Sequence, residues 1–277
     1  GLVRHPRLLS LWGRFASRDG RIQAGSYLLS AAMTPREILH YLVSGQVMSR
    51  PVTVPEGSTV LDVASILKAT VGIDSTDFLR FCANDSFAAS LGIASSSLEG
   101  YLFPDTYLFS SGTRPDRIAS IMVARLRAVL DGTDWDEGLT QLSLHEILTL
   151  ASIIEKETAL PAERPTVAAT YLNRLAIGMK LDADPTVAYG LGIPGRRLSL
   201  SDLRRPSPYN TYLNGGLPPG PICSPGLGSI EAVLHPDRSC RAFYFVARGD
   251  GSHQFSETFA EHRAAVREYR GSRSSGP

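Results

Sequence analysis

Glu155 and Glu157 stand at the end of an otherwise apolar run, residues 147–154 (ILTLASII), with Lys156 between them. A carboxyl that leans on an apolar wall holds its proton to higher pH than one in water, as a general acid must. Such a group can protonate the leaving oxygen of a sugar linkage, so the pair points to acid-assisted cleavage of a glycosidic bond.

Spacing leaves open which carboxyl would act. At about 100° per residue, Leu150, Ala151, Ile153 and Ile154 centre near the direction of Ile147 and Ile154. Glu155 and Glu157 then fall on opposite edges of that stripe, with Glu157 slightly closer to its centre. The plain alternative is a charged, solvated last turn, the commonest meaning of Glu-Lys-Glu. Against it, two acids in a last turn oppose the helix dipole, a cost that a site would explain.

Other residues offer polar contacts to a sugar. Asn173 lies between Leu172 and Leu175, an amide near an apolar face that needs partners when buried. A core amide bonded to backbone is an equally good reading. Asp184-Pro185-Thr186 and Tyr209-Asn210 read first as turns, yet ligand contacts concentrate in loops and tyrosine faces stack on sugar rings. The 6 histidines show no metal-ligand spacing, and no GxSxG, P-loop or dinucleotide fingerprint occurs, so neither metal nor cofactor is expected.

These residues need elements to position them. Ser143 with Glu146 has capping-box spacing and starts a helix over 143–158, and a second helix follows over 164–177, stopped by Gly178. Helices are also expected over 1–16, from Thr34 to Gly45 with Pro35 in its first turn, and over 60–68, 74–82, 118–130 and 259–269. In the 74–82 helix, Phe78, Leu79 and Phe81 face inward. Strands are expected over 25–29 and 46–54, with a strand-like run over 98–111. A hairpin pairs 243–247 with 253–255 around Gly249-Asp250-Gly251. The small-residue run 94–97 marks a domain boundary, and 271–277 is a polar, disordered tail.

The 277 residues suit two modest domains, and 43% hydrophobic with 20% charged residues describes an ordinary globular protein. With 28 basic against 27 acidic side chains, net +1, no strong field attracts nucleic acid or an anionic membrane. Cys82, Cys223 and Cys240 are too few for a disulfide framework and read as free or buried thiols, with one disulfide between two of them as the alternative that an oxidising compartment permits. No window crosses a bilayer, and the abrupt start at Gly1 without Met predicts a preceding segment.

Taken together, the blocks 98–107 (LEGYLFPDTY), 151–158 (ASIIEKET), 171–175 (YLNRL), 184–189 (DPTVAY), 207–212 (SPYNTY), 216–221 (GLPPGP), 224–226 (SPG) and 244–246 (YFV) resemble the YceG-like (MltG) family of membrane-anchored endolytic murein transglycosylases. The resemblance spans residues 20–270. It implies an α+β protein, with a small LysM-like subdomain within 1–95 and a mixed α+β catalytic domain over 96–270. It implies Glu157 as the catalytic acid, in agreement with the slight helical preference, and Glu155, Asn173, Asp184, Tyr209 and Asn210 are candidates to position the sugar. It further implies peptidoglycan glycan strands as substrate, cell-wall synthesis proteins as neighbours, no cofactor, and a place on the outer face of the bacterial cytoplasmic membrane. The family's anchor helix and the first strand of its LysM-like unit are not in this sequence. A non-catalytic peptidoglycan-binding module and a muramidase that uses water are the competing functions.

Overall fold

The structure, a computed structural model, describes residues 27–30, 32–44, 48–133 and 141–274, with side chains through 269. The helix expected over 1–16 lies outside these residues. Residues 27–29 form no strand, although 25–29 reads as one. The architecture is α+β: helices with two separate two-stranded antiparallel sheets among the described residues. Its contacts divide it into two units interleaved in sequence, the first from the described parts of 1–54, 61–81 and 105–121, the second from 55–60, 82–104 and 122–277.

In the first unit, α1 (Pro35–Ser44) starts as the sequence requires. The Thr34 backbone N–H donates to Glu37 Oε2 at 2.7 Å while Thr34 Oγ1 accepts from the Glu37 N–H at 3.3 Å. Strands β1 (Arg50–Thr53) and β2 (Thr106–Phe109) pair antiparallel with Val52 opposite Tyr107. Tyr107 and Phe109 point to the buried face and stack at 5.5 Å, because alternate strand residues share a side. The strand-like run 98–111 thus yields only four strand residues. Its first part folds into turns instead, where Gly100 takes φ 81° and Pro104 cannot donate to a ladder. Helices α2 (Val60–Val71) and α3 (Ser75–Cys82) follow. Phe78 is fully buried, but Leu79 and Phe81 are only half-buried, so one of the three expected inward residues carries the packing.

The second unit holds α4 (Asp85–Ser90) and is built around α6 (Leu144–Glu157), which follows α5 (Pro115–Leu130). Ser143 caps α6 with the full capping box to Glu146. Eight consecutive residues, Ile147 through Ile154, are buried, so α6 is a central helix covered on all sides rather than a helix with one apolar stripe. Its two buried polar residues stay satisfied: Thr149 Oγ1 donates to His145 O at 2.7 Å and Ser152 Oγ to Thr149 O at 2.7 Å. Around it pack α7 (Arg164–Ala176), α8 (Asp184–Gly190) and α9 (Leu227–Leu234). Gly178, φ 68°, ends α7 as predicted, with Met179 N–H reaching back to Arg174 O at 2.8 Å. Asp184-Pro185-Thr186 is not a free turn but the first turn of α8, where proline is at home. The predicted hairpin is β3 (Tyr244–Ala247) with β4 (His253–Ser256), and α10 (Phe259–Ser274) packs on it. That helix continues past Tyr269 into the stretch expected as a disordered tail.

Candidate active site

Glu157 is the last residue of α6, because Thr158 turns extended at φ −134° and ψ 130°. Its carboxyl lies against α7, where Tyr171, 1% exposed, donates its hydroxyl hydrogen to Glu157 Oε1 at 2.6 Å. Burial pushes the Glu157 carboxyl up to about 7, and the carboxylate of Asp184 pushes the same way. The Tyr171 hydrogen bond and the charges of His253 and Arg174 pull against them without prevailing. The side chain is crowded by protein yet the residue keeps intermediate exposure, so it remains open to a ligand.

The walls of this site are firmly held. Tyr171 meets Phe245 edge-on at 5.7 Å and lies 5.9 Å from the Arg174 guanidinium. Arg174, one helical turn on and buried, donates to Phe243 O and Leu181 O, each at 2.6 Å. Among the described residues no carboxylate pairs with it, so its charge bears on Glu157 at longer range. Asp184 is exposed at the start of α8 and accepts from the Tyr212 hydroxyl at 2.7 Å. The chain enters α8 through Asp182, the one non-glycine residue with positive φ (45°) among those described. There, Ala183 N–H donates to buried Thr211 at 3.0 Å, which fixes α8 to the loop that carries Tyr212. Glu163 accepts from the His253 backbone N–H at 2.9 Å and pairs with its ring at 2.7 Å.

Of the expected site residues, Glu157 and Asp184 are brought together. Glu155 points elsewhere: its side chain, 7% exposed, receives Arg164 at 3.3 Å, the Gly226 N–H at 3.0 Å and the Ser229 hydroxyl at 2.7 Å. That carboxylate ties α6, α7 and α9 together and has no free oxygen for a sugar. Asn173, half-buried, donates through its amide nitrogen to Cys240 O and Ala242 O at 3.2 and 3.1 Å, the backbone-bonded amide of the plainer reading. Asn210 is 0% exposed and braces its own loop, donating to Leu203 O and Arg205 O and accepting from Tyr212 N–H. That last bond helps set Tyr212 in place. Tyr209 packs edge-on against Tyr189 at 4.9 Å, and Tyr189 donates to Glu99 at 3.2 Å.

The sequence reading missed Tyr171, Arg174, Tyr212 and His253. Tyr171 and Arg174 are three apart on one helix face, so an aromatic followed by a cation on an apolar side was the available signal. Tyr212 and His253 come from loop and hairpin and left no periodic trace.

The YceG-like family model matches residues 1–268. An endolytic murein transglycosylase of Bacillus subtilis is 34% identical over 97% of this chain and 78% of its own length. One from Streptococcus pneumoniae (strain D39) is 28% identical over 97% of this chain, which spans about half (54%) of that relative. The crystal structure of a YceG-like protein from Listeria monocytogenes superposes with TM-score 0.72 at 32% identity, over 95% of this chain and 91% of that one. With a central helix ending in a crowded carboxyl, and a family match along nearly its whole length, the chain belongs to the YceG-like family.

Proposed function

We propose that the protein is an endolytic lytic transglycosylase, cleaving the β-1,4 bond between N-acetylmuramic acid and N-acetylglucosamine within peptidoglycan strands and leaving 1,6-anhydro ends. The observation that carries the reading is Glu157, whose carboxyl burial raises to about 7, in a chain whose relatives are named for this activity. Neutral Glu157 protonates the leaving glycosidic oxygen. As carboxylate it then takes the proton of the muramoyl C6 hydroxyl, which closes on the anomeric carbon. Asp184, steadied by Tyr212, faces the positive charge that develops at that carbon. One carboxyl is acid and base in turn, so turnover falls as pH rises through about 7.

The same proposal places the protein at the outer face of the bacterial cytoplasmic membrane, facing the cell wall, with the LysM-like region before about residue 95 gripping glycan and 96–270 as catalytic domain. Among the described residues no helix is long and apolar enough to cross a membrane.

Asp184 beside Glu157 also favours a second reading, in which it orients a water and the enzyme hydrolyses. Mass analysis of products from uncrosslinked glycan strands separates the two. Anhydro ends are lighter by one water than hydrolysed ends, and Glu157→Gln should yield neither.

A further inference from the structure

The Tyr171 hydroxyl has one hydrogen to give, and the residue is only 1% exposed. Glu157 Oε1 is its only acceptor among the described residues, at 2.6 Å. The ring cannot swing away: Phe245 blocks it edge-on, and Arg174, pinned by two backbone carbonyls, lies beside it. Oε1 is therefore an acceptor whether Glu157 is neutral or ionised. The acidic hydrogen of neutral Glu157 must then sit on Oε2, which has no partner among the described residues.

We propose that Tyr171 is a positioning residue that confines both proton transfers of the reaction to the single oxygen Oε2 of Glu157. The inference rests on the transglycosylase reading and deepens it. In the first transfer the Oε2 hydrogen passes to the leaving oxygen as the bond from the anomeric carbon to that oxygen breaks. In the second, the C6 hydroxyl hydrogen passes to Oε2 as the C6 oxygen bonds to the anomeric carbon. Glutamic acid is regenerated and nothing is oxidised or reduced. A 1,6-anhydro closure enters on the same β face from which the leaving oxygen departs. One oxygen can serve both steps in turn without the carboxyl rotating, which a carboxyl free on both sides would have to be held from doing.

The charged and titratable groups facing Glu157 are Asp184 on α8, Arg174 and Tyr171 on α7, His253 on β4, and Tyr212, bonded to Asp184. Tyr171→Phe leaves the other four in place, so its effect on the pH profile isolates the hydroxyl. The test measures the rate of anhydro-end formation from uncrosslinked glycan strands between about pH 5 and 10, with a melting curve for each chain. The carboxylate loses a donor in Tyr171→Phe, so the alkaline limb moves up by about one pH unit and the maximal rate falls about ten- to hundred-fold. A chain carrying fluorotyrosine at position 171, whose phenol is a stronger donor, moves the limb down. It also supplies the test on its own if Tyr171→Phe fails to fold. A purely structural Tyr171 would scale the profile without shifting it, and an unmoved limb, or shifts of the opposite sign, overturns the proposal. Wild-type protein that forms no anhydro ends overturns the transglycosylase reading itself, and the proposal with it.

Discussion

Glu157→Gln should make the protein more stable at alkaline pH while abolishing turnover. Burial raises the Glu157 carboxyl from its ordinary 4.5 to about 7, so between those values the folded chain holds a proton that the unfolded chain has released. Stability contributed by this group is complete below about pH 4.5, is lost as pH rises to about 7, and stays lost above it. At 1.36 kcal/mol per pH unit the loss is about 3 kcal/mol, and about 2 once the partial exposure of the residue is allowed for. Glutamine is nearly isosteric, never ionises, and keeps an oxygen to accept from Tyr171. Urea unfolding of both chains should therefore give equal stability near pH 4.5 and a mutant more stable by ~2 kcal/mol near pH 8.5. A mutant less stable than wild type at pH 8.5, or a difference that does not change with pH, refutes the reasoning that burial dominates this carboxyl.

Glu155→Ala should act on stability: it leaves Arg164, with a side chain 12% exposed, only the more distant Glu56 carboxylate at 3.8 Å, strips the Gly226 and Ser229 donors of their acceptor, and should cost about 3 kcal/mol in denaturant melts. Gly100→Ala drives a methyl into the Pro221 ring at φ 81°, so it should lose about 3 kcal/mol or more. Gly178→Ala, at φ 68° in open space, should lose about 1 kcal/mol. Cys82 and Cys240 are free thiols, and burial pushes the Cys82 thiol up to about 12, so a thiol reagent should label half-buried Cys240 first and Cys82 only on unfolding.

Much of this molecule was legible in the chain because local rules fixed it. Thr34 with Glu37 and Ser143 with Glu146 announce helix starts through side-chain bonds three residues apart, and Gly178 announces a stop. The hairpin around Gly249-Asp250-Gly251 is likewise local. Residues 98–105 misled as strand because aromatic density mimics β pattern, while the Gly100 turn that packs against Pro221 depends on a segment far along the chain. In the site, the helical preference for Glu157 came from an apolar stripe, yet α6 is buried all round, so the stripe was not what separates the two carboxyls. The difference is tertiary: Glu155 meets Arg164 and the Gly226 turn, whereas Glu157 meets a phenol and a burial cost. For the same reason Asn173 and Asn210, polar residues in apolar or turn settings, proved to be backbone braces. Sequence shows that a buried amide needs partners, not whether the chain already supplies them.

The central claim is that Glu157 is the proton donor and acceptor of an intramolecular ring closure. Its most direct test is mass analysis of the new ends formed when wild-type and Glu157→Gln proteins are incubated with uncrosslinked glycan strands. The account predicts anhydro ends from the wild type and none from a folded Glu157→Gln. Anhydro ends at wild-type rates from Glu157→Gln, or wild-type ends heavier by one water, would contradict it.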